Sequence, residues 1–331
     1  MTSAKRSNGC VVIGRNEGER LPACLKSVEH WANHLVYVDS GSHDGSPGVA
    51  RLMGVDTLAL DDSAPFTAAR GRNAGLRRLL TVCPSLETVQ FVDGDCELFP
   101  SWFERARGIL EEHSDVAVVF GRLRERHPEK SVYNRLCDVE WNTPPGEAAS
   151  CGGIAMMRVR ALRESGAYNE GLIAGEEPEL CFRLREKGWK ILCIEADMGW
   201  HDAGMTKFGQ WFKRSVRTGH AYAEVSRRFG ESPERFWVHE RRSIEFWGLV
   251  VPTAALFLAG LTGPGSLLLL TGYGALVARA YQVVRRRGIS RMDSVLYAFF
   301  CVLGKFPQAW GVLSHSFGTM TGQHRGLIEY K

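Results

Sequence analysis

"QFVDGDCELFP", residues 90 to 100, runs an apolar strand straight into two carboxylates, Asp93 and Asp95, one glycine apart. Three chemistries compete for such a pair: a solvated Asp-Gly turn, a site for a hard cation, or a coupled acid and base. Taken alone, the tripeptide favours the turn, because Asp-Gly marks turns everywhere. As an acid-base couple it is poor, since neither acid has an evident reason to hold a proton. Its neighbours along the chain have to decide.

The same pattern recurs upstream. "CVVIG" (10–14) runs into Arg15, Asn16 and Glu17, and "LVYV" (35–38) runs into Asp39 and a Gly- and Ser-rich turn. "VAVVFG" (116–121) and "WKILCIEA" (189–196) read as further strands. Between them Leu21, Leu25 and Val28 recur at helical spacing, and "EPELCFRLREKG" reads as a helix stopped at Gly188. Strands alternating with helices predict an α/β domain with a mostly parallel sheet flanked by helices. Ligands of such sheets bind outside the carboxyl ends of the strands. Three of those ends carry polar groups here, which favours one shared site over unrelated turns.

The 331 residues carry a formal charge of only +4, too little to argue for a nucleic-acid partner. Nine cysteines lie scattered without CxxC spacing, a pattern that fits reduced cytoplasmic thiols better than disulfides or structural zinc. "MTSAKRSNGC" is followed by no apolar stretch of signal length, so a cleaved secretory signal is not expected.

"CVVIGRNEGERLPACLKSV", "VYVDSGSHDGS", "ARGRNAGL", "FVDGDCE", "CGGIAMMRVRALRESGAYNEGLIAGEEPELCFRLREKGWKI" and "MGWHDAGMTKFGQWFKR", in this order, resemble a family 2 glycosyltransferase with the Rossmann-like GT-A fold. The resemblance covers about residues 9 to 225. It implies that Arg15, Glu17, Asp39, Arg72, Asn73, Asp93 and Gly153 line a nucleotide-sugar pocket, with Asp39 accepting a hydrogen bond from the base. It implies Asp95, with Asp93 and His201, as ligands of Mg2+ or Mn2+, which would screen the departing diphosphate. It also implies transfer with inversion, with Glu177, or its neighbour Glu176, deprotonating the acceptor. The family has an Asp where this chain has Glu177. Helix capping competes with catalysis for these two acids, because Pro178 suits a first helical turn and acids there are stabilised by the helix dipole. Gly152 and Gly153 either admit the donor sugar to the backbone or mark a tight turn.

Beyond the α/β part the composition changes. From Phe246 to Ala278 there is no Asp, Glu, Lys or Arg. The expected organisation is a transferase domain over 1–225, amphipathic interfacial helices and linker over 205–243, and a membrane-associated helical region over 244–331. In that region an apolar hairpin (about 246–262 and 266–284) precedes interfacial helices. Lys305 and Pro307 argue against a third span, because a lysine at mid-membrane costs about 2.5–3.5 kcal/mol. Arg285, Arg286 and Arg287 mark a cytoplasmic exit, which predicts an inner-membrane protein whose catalytic domain faces the cytoplasm. Arg214 and Arg217 are candidates for an acceptor's lipid diphosphate. The expected acceptor is a lipid-linked saccharide of envelope or exopolysaccharide assembly. Polyprenyl phosphate itself is the near rival; a nucleotidyltransferase and a non-catalytic membrane scaffold are rivals of other classes.

Overall fold

The buried run of β1 (Asn8–Gly14) lies inside a nine-stranded sheet. A strand covered on both faces needs no polar alternation, which is why "CVVIG" is uniformly apolar. The computed structural model describes residues 8–321. In it β1 is followed by α1 (Arg20–Glu29), β2 (His34–Asp39), α2 (Ser46–Leu52), β3 (Asp56–Ala59), α3 (Ala68–Val82) and β4 (Thr88–Asp93). Next come β5 (Cys96–Leu98), α4 (Pro100–Glu112), β6 (Val116–Glu125), α5 (Val132–Glu140), β7 (Gly146–Glu147), β8 (Ala155–Arg158), α6 (Val159–Ser165), α7 (Glu176–Glu186) and β9 (Lys190–His201).

The strand order is β3-β2-β1-β4-β8-β6-β9-β5, with β7 on β9. The parallel arrangement expected from strand-helix alternation holds among β1 to β4 and between β6 and β9. β8, β5 and β7 run antiparallel to their neighbours, so the sheet is mixed. Two of these registers build the site. Phe91 pairs with Ala155, which brings the residues before β8 to the end of β4. Cys96 pairs with His201, which brings the end of β9 to the DGD turn.

Helix α1 buries Leu21, Cys24, Leu25 and Val28, the i, i+3, i+4, i+7 stripe of an amphipathic helix. Helix α3 approaches the sheet on two glycines. A Cβ on Gly75 would stand 2.3 Å from Val11, and one on Gly71 3.2 Å from Ile13. That approach carries Arg72 and Asn73 into the buried layer.

The sheet unit comprises the described residues to Arg126, Trp141–Leu172 and Glu176–Ala203. A second unit takes His127–Glu140, Ile173–Gly175 and the chain from Gly204. The compact sheet unit ends at Ala203, short of the residue 225 expected for the transferase domain. The reason is α8 (Phe208–Phe229), whose buried side packs on α13 (Lys305–Thr321): a Cβ on Gly219 would meet the Gln308 carbonyl at 1.9 Å, and one on Gly311 the Val216 carbonyl at 2.0 Å. Between them lie α9 (Val238–Glu245), a π-helical turn (Phe246–Val250), α10 (Val251–Thr262), a 3₁₀ stretch (Pro264–Thr271), α11 (Gly272–Arg286) and α12 (Arg291–Leu303).

Among the described residues three helical rods, Val238–Thr262, Pro264–Arg286 and Arg291–Thr321, are long and apolar enough to cross a membrane. The two runs of the expected hairpin fall within the first two. The third departs from the expected pair of separate interfacial helices. Only Gly304 separates α12 from α13, and its φ of −61° and ψ of −21° continue the helical course. Pro307 is accommodated because it sits in the first turn of α13, where a missing N–H costs little.

Candidate active site

The strand end at β4 sends its two acids to different partners. Asp95, nearly fully buried, sets Oδ2 3.1 Å from Nε2 of His201, and the Cys96 thiol donates to Asp95 Oδ1 at 3.5 Å. Donor atoms of Asp95, Cys96 and His201 lie within 4.8 Å of one another. Carboxylate and imidazole donors at that spacing suit a divalent cation. Trp141 stacks on the His201 ring, with centroids 4.4 Å apart and planes at 23°, which fixes the ring plane.

Asp93 does not join this group; it turns to Arg72. Arg72 is 2% exposed, and its guanidinium reaches three carboxylates: Asp93 Oδ1 at 3.1 Å from Nη2, and Glu177 Oε1 at 2.7 Å and Glu176 Oε1 at 3.2 Å from Nη1. Its Cζ lies 5.5 Å from the centre of the Tyr168 ring. Of the three residues expected at the metal, the structure brings Asp95 and His201 together, with Cys96 alongside, and sets Asp93 against Arg72. A planar fork already bonded to Asp93 holds that carboxylate for the second cluster.

Three carboxylates around one buried cation leave excess negative charge, and Glu177 carries the consequence. Burial, and then the charge of Glu176, push its carboxyl up to about 7, while Arg72 pulls it back. A carboxylate near neutrality can both take and release a proton at working pH. Both acids open α7, where the sequence placed them, with Glu179 anchored in the same turn by Arg183 at 2.7 Å. Gly153 faces the cluster directly. A Cβ there would lie 2.4 Å from Arg72 Nη2, 3.0 Å from Asp93 Oδ2 and 3.2 Å from Glu177 Oε1, whereas Gly152 has open space.

The expected nucleotide-facing residues divide into two kinds. Arg15 sets its guanidinium 5.5 Å from the Phe66 ring centre. Glu17 is buried, pairs with Arg20 at 2.8 Å and accepts from the Arg15 amide at 3.3 Å. Asn16, at φ +56°, bridges to the next loop by donating its amide to Ser42 Oγ at 2.8 Å and accepting from the His43 amide at 2.8 Å. Asp39 accepts from Tyr37 Oη, the Gly41 amide, and both the amide and hydroxyl of Ser42, at 2.6 to 3.0 Å. Those four bonds fill a carboxylate's acceptor capacity, so Asp39 anchors the turn after β2, and a base N–H would have to displace one of them. Asn73 is likewise committed. Its amide group donates to the Tyr168 carbonyl and to Glu170 and accepts from the Tyr168 amide, tying down that loop.

Arg214 and Arg217, expected at a lipid diphosphate, lie in the second unit with other partners. Arg214 pairs with Glu140 at 2.7 Å, and Arg217 donates to the Ile173 carbonyl at 2.9 Å. Three contributors were missed from the sequence: Tyr168, Trp141 and Cys96. Only Cys96, adjacent to the acids, carried a local signal.

Residues 10–166 match the model of glycosyl transferase family 2. Over 136 residues the chain is 30% identical to a TPR repeat-containing protein of Synechococcus elongatus, a match covering 41% of this chain and 31% of that protein. The chain thus spans about a third of the length of that curated relative. In three dimensions it is similar to the mannosyltransferase PcManGT from Pyrobaculum calidifontis, solved with GDP-Man and Mn2+, with a TM-score of 0.57 and 19% identity over 90% of this chain and 87% of that one. It is also similar to residues 1–349 of S. aureus TarS, with a TM-score of 0.53 and 12% identity over 96% and 92% of the two chains. At these identities the likeness is one of fold.

Proposed function

We propose that this chain, whose residues 10–166 match the model of glycosyl transferase family 2, transfers a sugar from a nucleotide donor to an acceptor hydroxyl with inversion. The observation that carries the reading is the split of the DGD pair: Asp95 faces His201, while Asp93 shares the Arg72 guanidinium with Glu177. Donor-side and proton-accepting groups are thereby adjacent yet distinct. Asp95 and His201 would hold Mg2+ or Mn2+, which when bound supplies positive charge for the departing diphosphate. The similar Pyrobaculum enzyme, solved with GDP-Man and Mn2+, supports both ligand classes.

Arg15, Glu17 and the turn anchored by Asp39 bind the nucleotide. Arg72 holds Asp93 and Glu177 in fixed relation, and Gly153 leaves room for the donor sugar beside them. Glu177 takes the acceptor hydroxyl's proton as the new glycosidic bond forms and the bond to the diphosphate breaks. Glu176 stays paired with Arg72 and keeps its neighbour basic through like charge. The three apolar rods support an acceptor at a membrane: a lipid-linked saccharide, or polyprenyl phosphate as second choice, with the domain facing the cytoplasm.

Purified full-length protein with Mn2+ and a panel of sugar nucleotides tests this. Release of free nucleoside diphosphate with one donor, abolished by chelation, is the expected result. Release of pyrophosphate would replace the reading with nucleotidyl transfer. Asp95→Asn and His201→Ala should weaken Mn2+ binding, and Glu177→Gln should keep donor binding and lose transfer.

A further inference from the structure

Ile173, Ala174 and Gly175 connect Leu172 to Glu176, yet they pack within the second unit. Arg217 of α8 donates Nη2 to the Ile173 carbonyl at 2.9 Å. Gly175 has a φ of +83°, a conformation glycine alone adopts freely, and it faces a wall. A Cβ there would lie 3.2 Å from Ala221 and 3.4 Å from Val225 and Trp237. Trp237 is itself at φ +60°. For so bulky a residue this costs about 1–3 kcal/mol and persists only where the surroundings over-determine it. Here Tyr222 meets its ring edge-on at 4.6 Å, and Phe236 stacks on it at 5.1 Å. Two aromatic rings hold this residue, and the wall it forms is the one Gly175 rests on.

We propose that Arg217 and Trp237 are positioning residues: by gripping Ile173–Gly175 they set the backbone from which Glu176 and Glu177 project. The link runs through the chain itself, since Gly175 is bonded to Glu176, the first residue of α7. A link held at the Ile173 carbonyl and at Gly175 leaves the first turn of α7 little freedom. The inference rests on the reading of Glu177 as the base, in which a misplacement of about 1 Å costs about 100-fold in rate.

The experiment uses full-length protein in detergent, Mn2+, and the sugar nucleotide that supports nucleoside diphosphate release. Hydrogen exchange, kcat and donor KM are compared for Arg217→Ala, Trp237→Ala and the conservative variants Arg217→Lys and Trp237→Phe. Each alanine variant should exchange faster at residues 173–178, with peptides of β1 and β4 unchanged. Their kcat should fall about 10- to 100-fold at unchanged donor KM. The conservative variants should restore both in part. If an alanine variant fails to fold, its conservative partner is read by the same criterion, as a smaller loosening confined to the loop. Unchanged exchange at 173–178 overturns the proposal, and so does a loosened loop with wild-type kcat. Wild-type kcat in Glu177→Gln would instead remove the base reading, while the exchange data still report the grip.

Discussion

At Glu177, burial and the charge of Glu176 raise the carboxyl from 4.5 to about 7, which sets both a rate and a stability against pH. In the proposed role of base Glu177 works deprotonated, so kcat/KM of the free enzyme should rise with pH to a plateau above about 7. In stability the sign is opposite. Between pH 4.5 and about 7 the folded state binds more protons than the unfolded chain, so stability falls as pH rises through this window and the loss is complete above it. The loss is on the order of a few kcal/mol. Glu177→Gln should therefore melt above wild type at pH 8 and close to it at pH 4, while losing transfer. A lower melting temperature at pH 8 would mean that the Arg72 pair outweighs the desolvation. Gly153→Ala probes the same cluster sterically, because its methyl would stand 2.4 Å from the Arg72 guanidinium. Being the end of a flexible side chain, that group can give way, so the fold should survive. Transfer should fall about 10- to 100-fold as Asp93 and Glu177 lose alignment. Glu177 and Asp95 were legible as residues because their motifs are local. The occupied acceptors of Asp39 and the loop-tying role of Asn73 were not, because their partners are backbone groups and side chains that meet them only in the folded turn and across 95 residues of chain.

Among the elements, the strands that sequence periodicity finds well are the buried parallel ones, β1, β2 and β4, whose apolar runs follow from cover on both faces. β8 and β5 are short and pair antiparallel with strands distant in sequence, so nothing local specifies their register. Yet those registers bring Gly153 to Asp93 and His201 to Asp95, and the site's two clusters depend on them. The α8–α13 contact is a similar case. Gly219 and Gly311 read as weak points in helices until the facing carbonyls at 1.9 and 2.0 Å from their hypothetical Cβ atoms explain them. Backbone cannot yield as a side chain can, so Gly219→Ala or Gly311→Ala should cost about 1–3 kcal/mol, seen as a lower melting temperature in detergent. The double variant should cost less than the sum, because either methyl alone forces the same helix pair apart. Gly209→Ala, with open space around it in the same helix, should be neutral or stabilising by about 0.5–1 kcal/mol.

Across the whole chain, charge and apolarity are segregated, and the segregation makes a prediction about solvent. Leu256, Phe257, Leu261, Leu268, Met292, Val295 and Met320 are all more than half exposed on the three rods. Apolar surface in water forgoes about 25 cal/mol per Å², so a run of such residues over three helices is out of place unless hydrocarbon covers it. The composition shift at Phe246 made this legible from sequence; the continuity of the third rod through Gly304 was not, because Lys305 and Pro307 both argued for a break. Two modes of attachment remain distinct in their physics. Basic groups of α8, Lys213, Arg227 and Arg228 among them, would bind an anionic surface by Coulomb attraction, which salt screens within about 10 Å at 0.1 M. Buried apolar rods would be indifferent to salt. Full-length protein expressed in bacteria should therefore stay in the membrane pellet through both high salt and alkaline carbonate and leave it only with detergent. Arg227→Glu and Arg228→Glu together should leave this partition unchanged. Release by salt alone would assign the attachment to α8 and return the rods to contacts within protein.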